Sequence, residues 1–454
     1  MIQSISPTDE SVIASYEENS PEEVKRHIDA SVALQKEWAG VAVSERAPLM
    51  IRAAELLEKS RDSLAELMAD EMGKPVTQGR GEVEKCAWVC RHYAENAERI
   101  LADEAIETDR SASYVAHRPL GVVLAVMPWN FPLWQVYRFA APALMAGNGG
   151  ILKHASNVTG CALEIDRIFT EAGFPDGLFR TLVLPSSRVY EVLEHKGIVA
   201  ATLTGSDPAG RAVASKAGSL LKKTVLELGG SDPYIVLADA DLEKAAATCA
   251  TSRLINGGQS CIAAKRFIVE SPVVEEFTEL FASKLGQAVV GDPRDENTTM
   301  GPMARVDLRD ELHDQVQASV DAGANLLMGG EKPEGPGAFY PPTILTGVKD
   351  GMPVYREETF GPVAAVITAE SADEAVDIAN DSDFGLGAAI FTDDIERGEE
   401  IARNRLEAGA AFVNAFVASD PRLPFGGIKM SGYGRELSDI GMKEFLNAKT
   451  VVVA

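Results

Sequence analysis

A thiol, a carboxylate and an amide stand in settings from which they could together act on a carbonyl carbon. Cys261 closes the run Asn256-Gly-Gly-Gln-Ser-Cys261. A thiolate attacks carbonyl carbon if it has access, donors for the developing oxyanion, and a base. Gly257 and Gly258 carry no side chain, so the backbone can approach a substrate closely. Glu227 interrupts the apolar run Val225-Leu-Glu-Leu228. A carboxylate in such a strand is partly desolvated, which raises its pKa toward the range of a general base. Asn130 lies in Met127-Pro-Trp-Asn-Phe-Pro132, a turn stiffened by prolines and aromatics, and could aim its amide at an oxyanion. Each feature has a plainer reading. Most free cysteines are small buried hydrophobes, and asparagine suits turns for its backbone geometry alone.

A second group of residues could hold a nucleotide. Leu203-Thr-Gly205-Ser206-Asp-Pro-Ala-Gly210 follows a strand-like run and opens a helical one. Such a turn can offer amides to a phosphate at the helix N-terminus, although any strand-to-helix turn would look similar. It lacks the G-x-G-x-x-G of the ordinary dinucleotide fold. Lys153 ends another apolar run, as a ribose or phosphate contact or as a solvated cap.

The elements around these residues alternate. The first hundred residues read as helices, one entered at Ser44 with Pro48 in its first turn and ended by Gly73-Lys74-Pro75. From about residue 120, apolar runs alternate with helical segments: Val122–Met127, Ile151–Lys153, Arg180–Leu184, Val199–Leu203 and Thr224–Leu228. That is the pattern of parallel βαβ units. A second block, from Tyr234 to about Asn414, has strand candidates at Arg266–Val269, Val363–Thr368 and Ala411–Asn414. The tail Thr450-Val-Val-Val-Ala454 is a bare apolar strand that needs a partner edge, and another subunit could supply it.

Composition narrows the class. The 454 residues suffice for two or three domains. A net charge of −25 repels nucleic acid and anionic membranes. No apolar run reaches the length of a membrane span and no secretory signal is visible. Five cysteines without metal-ligand spacing fit reduced thiols in a cytoplasm. Cys86 and Cys90, four apart on a helix, read as packed core thiols.

Together the motifs resemble the aldehyde dehydrogenase superfamily over nearly the whole chain. The resemblance rests on Pro128-Trp-Asn-Phe-Pro132, Lys153, Thr204-Gly-Ser206, Glu227-Leu-Gly-Gly230, Gly258-Gln-Ser-Cys261, Glu358-Thr-Phe-Gly-Pro362 and Pro424-Phe-Gly-Gly-Ile-Lys-Met-Ser-Gly-Tyr-Gly-Arg-Glu436. It implies that Cys261 attacks an aldehyde, that Asn130 and the Cys261 N–H stabilise the oxyanion, and that Glu227 activates the water that hydrolyses the thioester. It implies cofactor contacts at Trp129, Lys153, Ser156, Gly205, Ser206, Gly210, Leu228, Glu358 and Phe360. It also implies an α/β fold in three parts. These are a Rossmann-type cofactor domain (1–100 and 118–227), a catalytic domain (228–418) and small β oligomerisation segments (101–117 and 437–454), with 419–436 lining the active site. A homodimer or homotetramer follows from the same resemblance.

Departures from the family pattern sharpen the expectation. Many NAD-preferring members place a glutamate three residues after the lysine, and here Ser156 stands there. A carboxylate would repel a 2′-phosphate, whereas a hydroxyl beside Lys153 accepts it, so NADP is expected over NAD. No second cysteine adjoins Cys261. His154 is expected to be structural. In Trp134-Gln-Val-Tyr-Arg138, Arg138 is the one charge of a long apolar stretch. A buried arginine must meet an anion, either an internal carboxylate or a substrate's. With Trp134 and Ser260 beside it, the second reading gives an ω-carboxylated aldehyde, succinate semialdehyde first. Another small aldehyde, a non-redox cysteine esterase, or a catalytically silent binding protein on the same scaffold remain as rivals.

Overall fold

Two parallel sheets carry the chain, and the computed structural model describes all residues, 1–454. The first sheet has six strands in the order Gly432–Tyr433, Lys223–Glu227, Ile198–Thr204, Val122–Met127, Gly149–His154, Phe179–Thr181. All are parallel except the short first one. The strands are buried on both faces, which is why they read as unbroken apolar runs. Val122–Met127 is the switch point: the chain runs outward from it on one side, then returns to build the other. Ligands bind at the carboxyl ends of strands at such a crevice. Register brings those ends level, with Met127 opposite His154, Val126 opposite Leu203, and Thr204 opposite Glu227.

The second sheet has seven strands, ordered Asn325–Met328, Thr343–Thr346, Val363–Ala369, Arg266–Glu270, Pro233–Val236, Gly387–Phe391, Ala410–Val413. Only the Asn325–Met328 edge strand is antiparallel. A third, small antiparallel sheet joins Glu104–Ala105, Ala112–Pro119 and Leu446–Val453. The C-terminal strand therefore finds its partner within the chain, along its whole length against Ala112–Pro119. Its outer edge stays open.

Three local readings differ from the structure. The chain opens with a hairpin, Ile2–Ile5 against Val12–Tyr16, not with a helix. Its alternation is weak because one inward residue is polar: Ser4 Oγ lies 2.8 Å from Glu71 Oε1 and 2.8 Å from the Asn157 carbonyl. The helix read from Ser44 begins at Val43 with Ala42 as cap, which puts Pro48 in its second turn. It also breaks at Ser60, giving Val43–Lys59 and Arg61–Met72. The run read to Leu184 holds a strand only over Phe179–Thr181, although its neighbour Gly149–His154 continues two residues past Leu152, the partner of Thr181.

Candidate active site

The Cys261 loop is built by three consecutive left-handed residues, Asn256, Gly257 and Gly258, with φ of 54°, 61° and 76°. The glycines are there for backbone reasons as much as for substrate access. A Cβ on Gly258 would stand 2.2 Å from the Gly361 carbonyl oxygen. The loop ties itself with Asn256 Nδ2, which donates to the Gln259 carbonyl (3.1 Å) and the Asn130 carbonyl (2.7 Å). Beneath it lies Lys265, fully buried, whose ammonium donates to the carbonyls of Ser260 (2.9 Å) and Cys261 (2.5 Å). The thiol of Cys261 is half-buried. Burial pushes its pKa up to about 12, opposed by the positive charges of Lys265 and Arg138. It rests as a thiol.

Asn130 is fixed from both sides. Its Nδ2 donates to the Gln259 carbonyl at 3.1 Å, and its carbonyl accepts from Lys74 Nζ at 2.9 Å. Lys74 forms a buried ion pair with Glu82. Glu82 Oε1 accepts from the N–H groups of Leu133 and Trp134, both at 2.9 Å, and so caps the helix Trp134–Met145. The pair clamps the turn that presents Asn130. Asn130 keeps one free amide hydrogen, and the Cys261 N–H has no protein acceptor. Both are thus available to an oxyanion near Cys261.

Glu227 ends its strand 2% exposed. It is not among the residues lining either cavity that reaches Cys261. Its carboxyl packs beside Gly426 and Glu436, and neither oxygen has a hydrogen-bond partner. Burial, then the neighbouring Glu436, pushes its pKa well up from the ordinary carboxylate value.

Two cavities meet at Cys261. One, of about 210 Å³, lies at the switch point and is lined by Trp129, Asn130, Thr204, Gly205, Ser206, Leu228, Glu358 and Phe360. Trp129 and Phe360 stand edge to face across it, 5.7 Å between centroids. Glu358 accepts from Gly230 N at 3.0 Å and lies 3.5 Å from Lys265 Nζ. Gly210 is not at this wall. It sits one turn inside the helix Asp207–Ser219, its N–H bonded to the Ser206 carbonyl, where a Cβ would strike Leu228. There the glycine packs against Leu228 and its amide is engaged within the helix. Further out, Lys153 and Ser156 line a cavity of about 590 Å³ with Ser186 and Arg305. Burial lowers the Lys153 pKa to about 8, and its ammonium has no acidic partner. An unpartnered cation beside a hydroxyl fits a nucleotide phosphate. His154 is structural, donating from Nε2 to the Pro132 carbonyl at 2.8 Å and accepting at Nδ1 from Ala155 N.

The other cavity, of about 310 Å³, is lined by Cys261 together with Phe131, Trp134, Arg138, Ser260, Phe416 and Phe425. Arg138 is 2% exposed and meets its anion inside the chain: it pairs with Glu436 and donates to Thr204 Oγ1 at 3.3 Å. Its guanidinium also lies over the Phe425 ring, 4.6 Å from the centroid. The residues that sequence reasoning passes over are Lys74, Glu82, Lys85 and Lys265. Lys265-Arg266 is the one legible sign, since two cations opening a buried strand require internal acceptors.

Comparison with known proteins places this geometry. The aldehyde dehydrogenase family model matches residues 1–451. A probable succinate-semialdehyde dehydrogenase (NADP(+)) of Synechocystis sp. is 49% identical over 453 residues, all of both chains. A succinate-semialdehyde dehydrogenase (NADP(+)) of Mycobacterium avium is 50% identical over 411 residues, 90% of this chain and 87% of its own. The crystal structure of succinic semialdehyde dehydrogenase from Streptococcus pyogenes, with NADP+ as cofactor, superposes over the full length of both chains with a TM-score of 0.98 at 38% identity. A match that runs from residue 1 to residue 451, on a chain whose thiol joins two cavities at the switch point of a parallel sheet, makes this protein a member of the aldehyde dehydrogenase family.

Proposed function

We propose that the protein oxidises succinate semialdehyde to succinate with NADP. The observation that carries the reading is the place of Cys261, where the cavity of the switch point joins an aromatic-walled cavity that holds cationic side chains. The names of the similar proteins point to the same aldehyde and cofactor.

The chemistry follows from the chain's own groups. Cys261 loses its proton to solvent and the resulting thiolate sulfur attacks the aldehyde carbon. The oxyanion of the thiohemiacetal takes hydrogen bonds from Asn130 Nδ2 and the Cys261 N–H. NADP, when bound, supplies the hydride acceptor. Loss of hydride from the thiohemiacetal carbon leaves a thioester on Cys261. Glu227, once it moves from its resting place and ionises, takes a proton from water. The hydroxide displaces the Cys261 thiolate and releases the acid. Glu358 would hold the nicotinamide ribose, and Trp129 and Phe360 would flank it. Gly205 and Ser206 would face the pyrophosphate, and Lys153 with Ser156 would receive the 2′-phosphate. Trp134, Arg138 and Ser260 line the aldehyde's side.

A homo-oligomer built on the open edge of Leu446–Val453, where Val452 and Val453 are exposed, completes the reading. The acidic surface and unpaired cysteines suit a cytoplasmic enzyme.

The test is initial rates of reduced-cofactor formation with succinate semialdehyde and with butyraldehyde, each with NADP and NAD. Higher kcat/KM for the semialdehyde with NADP supports the reading. Equal or better turnover of butyraldehyde overturns the substrate, and preference for NAD overturns the cofactor.

A further inference from the structure

Only two residues line both of the cavities that meet at the nucleophile: Cys261 itself and Gln135. Gln135 stands in the first turn of the helix Trp134–Met145, and its backbone N–H donates to the Phe131 carbonyl at 3.1 Å. Its side chain is 2% exposed, and Oε1 is buried without a hydrogen-bond partner. The donors around the two cavities are committed elsewhere. Arg138 is held by Glu436 and Thr204, Lys85 by Ser419, and Lys265 by the carbonyls of Ser260 and Cys261. A buried amide oxygen with no partner is destabilising, and an apolar side chain in its place would carry no such penalty.

An unpaired acceptor beside the nucleophile calls for a donor that arrives with the reaction. The aldehyde and the thioester bring no O–H or N–H to the reacting carbon. The oxyanion needs donors, which Asn130 Nδ2 and the Cys261 N–H supply. The water that cleaves the thioester has two hydrogens, and it must be aligned on a carbon bonded to Cys261 before it loses one of them. Glu227, its base, lines neither cavity and so does not hold the water beforehand. Gln135 shares both cavities with the sulfur.

We propose that Gln135 Oε1 holds the hydrolytic water against the thioester until Glu227 reaches it. One O–H of the water is directed to Gln135 and the other to Glu227. The water oxygen bonds to the thioester carbon, Glu227 takes one proton, and the C–S bond breaks with its electron pair on the Cys261 sulfur. The O–H held by Gln135 leaves as the hydroxyl of the carboxylic acid. This inference rests on the thioester of the proposed reaction and not on which aldehyde forms it.

The test is rapid mixing of Gln135→Met with succinate semialdehyde and NADP. Methionine keeps an unbranched chain and lacks the amide oxygen. Reduced cofactor should appear in a burst close to the site concentration, followed by a steady rate lowered about ten- to hundredfold, the effect of a misplaced reactant. Gln135→Glu, which restores an acceptor oxygen, should recover most of the steady rate. Gln135→Met should melt no lower than the unaltered protein, whereas a purely structural role requires that it melt lower. A second arm needs no cofactor. p-Nitrophenyl acetate acylates Cys261 directly with release of nitrophenolate, and the acetyl thioester is hydrolysed by the same water. Gln135→Met should again show a burst, here of nitrophenolate, before a slowed steady rate. Loss of the burst together with weaker NADP binding by titration overturns the inference and assigns Oε1 to the cofactor's carboxamide. Steady rates unchanged in both arms overturn it outright. Failure of the unaltered enzyme to form reduced cofactor overturns the proposed function alone. The nitrophenolate phases then decide Gln135, slow deacylation in the variant supporting the inference and unchanged deacylation overturning it.

Discussion

The ammonium of Lys265 lies 3.5 Å from the carboxylate of Glu358 while donating to the backbone carbonyl of Cys261. One buried cation thus joins the nucleophile's loop to a wall of the cofactor cavity. Its charge is also the largest influence that lowers the Cys261 pKa. Lys265→Met should therefore raise that pKa and leave Glu358 without its partner. The expected result is slower alkylation of Cys261 by iodoacetamide at pH 8, because each tenfold loss of thiolate slows the reaction about tenfold, with a higher KM for cofactor. An alkylation profile that does not move with pH would remove the electrostatic role.

Asn130 holds one amide hydrogen on the Gln259 carbonyl and has one to offer. Replacing it by alanine should lower kcat by about 10²–10³, as for other oxyanion donors, with little change in cofactor binding. Steady-state rates beside NADP titration of the same variant check the split. A rise in aldehyde KM with kcat unchanged would mean that Asn130 only holds substrate.

The Lys74–Glu82 pair supports that turn from below, with side chains 1% and 2% exposed. Lys74→Met leaves a buried carboxylate unpaired, which costs about 3–5 kcal/mol and should lower the melting temperature. The double change Lys74→Met with Glu82→Met should recover stability, since a matched apolar pair avoids the lone charge. It should not recover turnover, because the Asn130 carbonyl is left with Asn256 Nδ2 alone and the Leu133 and Trp134 amides have lost Glu82.

What could be read from the sequence was what lay close together along the chain. Cys261 and its glycines form one loop, Asn130 one turn, and the parallel strands one apolar run each. Lys85 and Ser419 are 334 residues apart and meet only when the segment after the second sheet folds back on the first helices. On its helix, Lys85 follows Glu82 at the spacing of an ordinary surface ion pair, and nothing local shows that Glu82 turns instead to Lys74. Arg138 illustrates the same limit. Its need for an anion was legible, but Glu436 sits in a motif that the sequence offers only as a tail of glycines. The opening hairpin escapes a sequence reading because its inward Ser4 is held by Glu71 and the Asn157 carbonyl, contacts that leave no apolar alternation to read.

Glu227 lies behind the cavity wall with its pKa pushed up by burial. A base that is needed only after the thioester forms should affect deacylation and not acylation. Glu227→Gln should therefore give a burst of reduced cofactor close to one equivalent per site, followed by turnover lowered by about 10²–10⁴. Rapid-mixing absorbance of the reduced nicotinamide measures both phases. Loss of the burst as well would place Glu227 at the deprotonation of Cys261.

Cofactor choice should depend on pH through Lys153. Its ammonium is buried, faces no carboxylate within its cavity wall except Glu10 and the Asp307 already paired with Arg305, and has a pKa lowered to about 8. A 2′-phosphate is dianionic above about pH 6, so the attraction is complete only between the phosphate's titration and that of Lys153. Above about pH 8 the lysine loses its proton and the advantage of NADP should shrink, by at most about tenfold per pH unit. NAD, lacking the phosphate, should show no such fall. The ratio of kcat/KM for NADP to that for NAD, taken from about pH 6 to about pH 10 at saturating aldehyde, spans the titration of the lysine and reads this directly. Ser156→Glu should invert the ratio at neutral pH by placing a carboxylate against the phosphate, and Lys153→Met should flatten its pH dependence. A ratio constant across the range in the unaltered enzyme would assign the phosphate to Arg305 and not to Lys153.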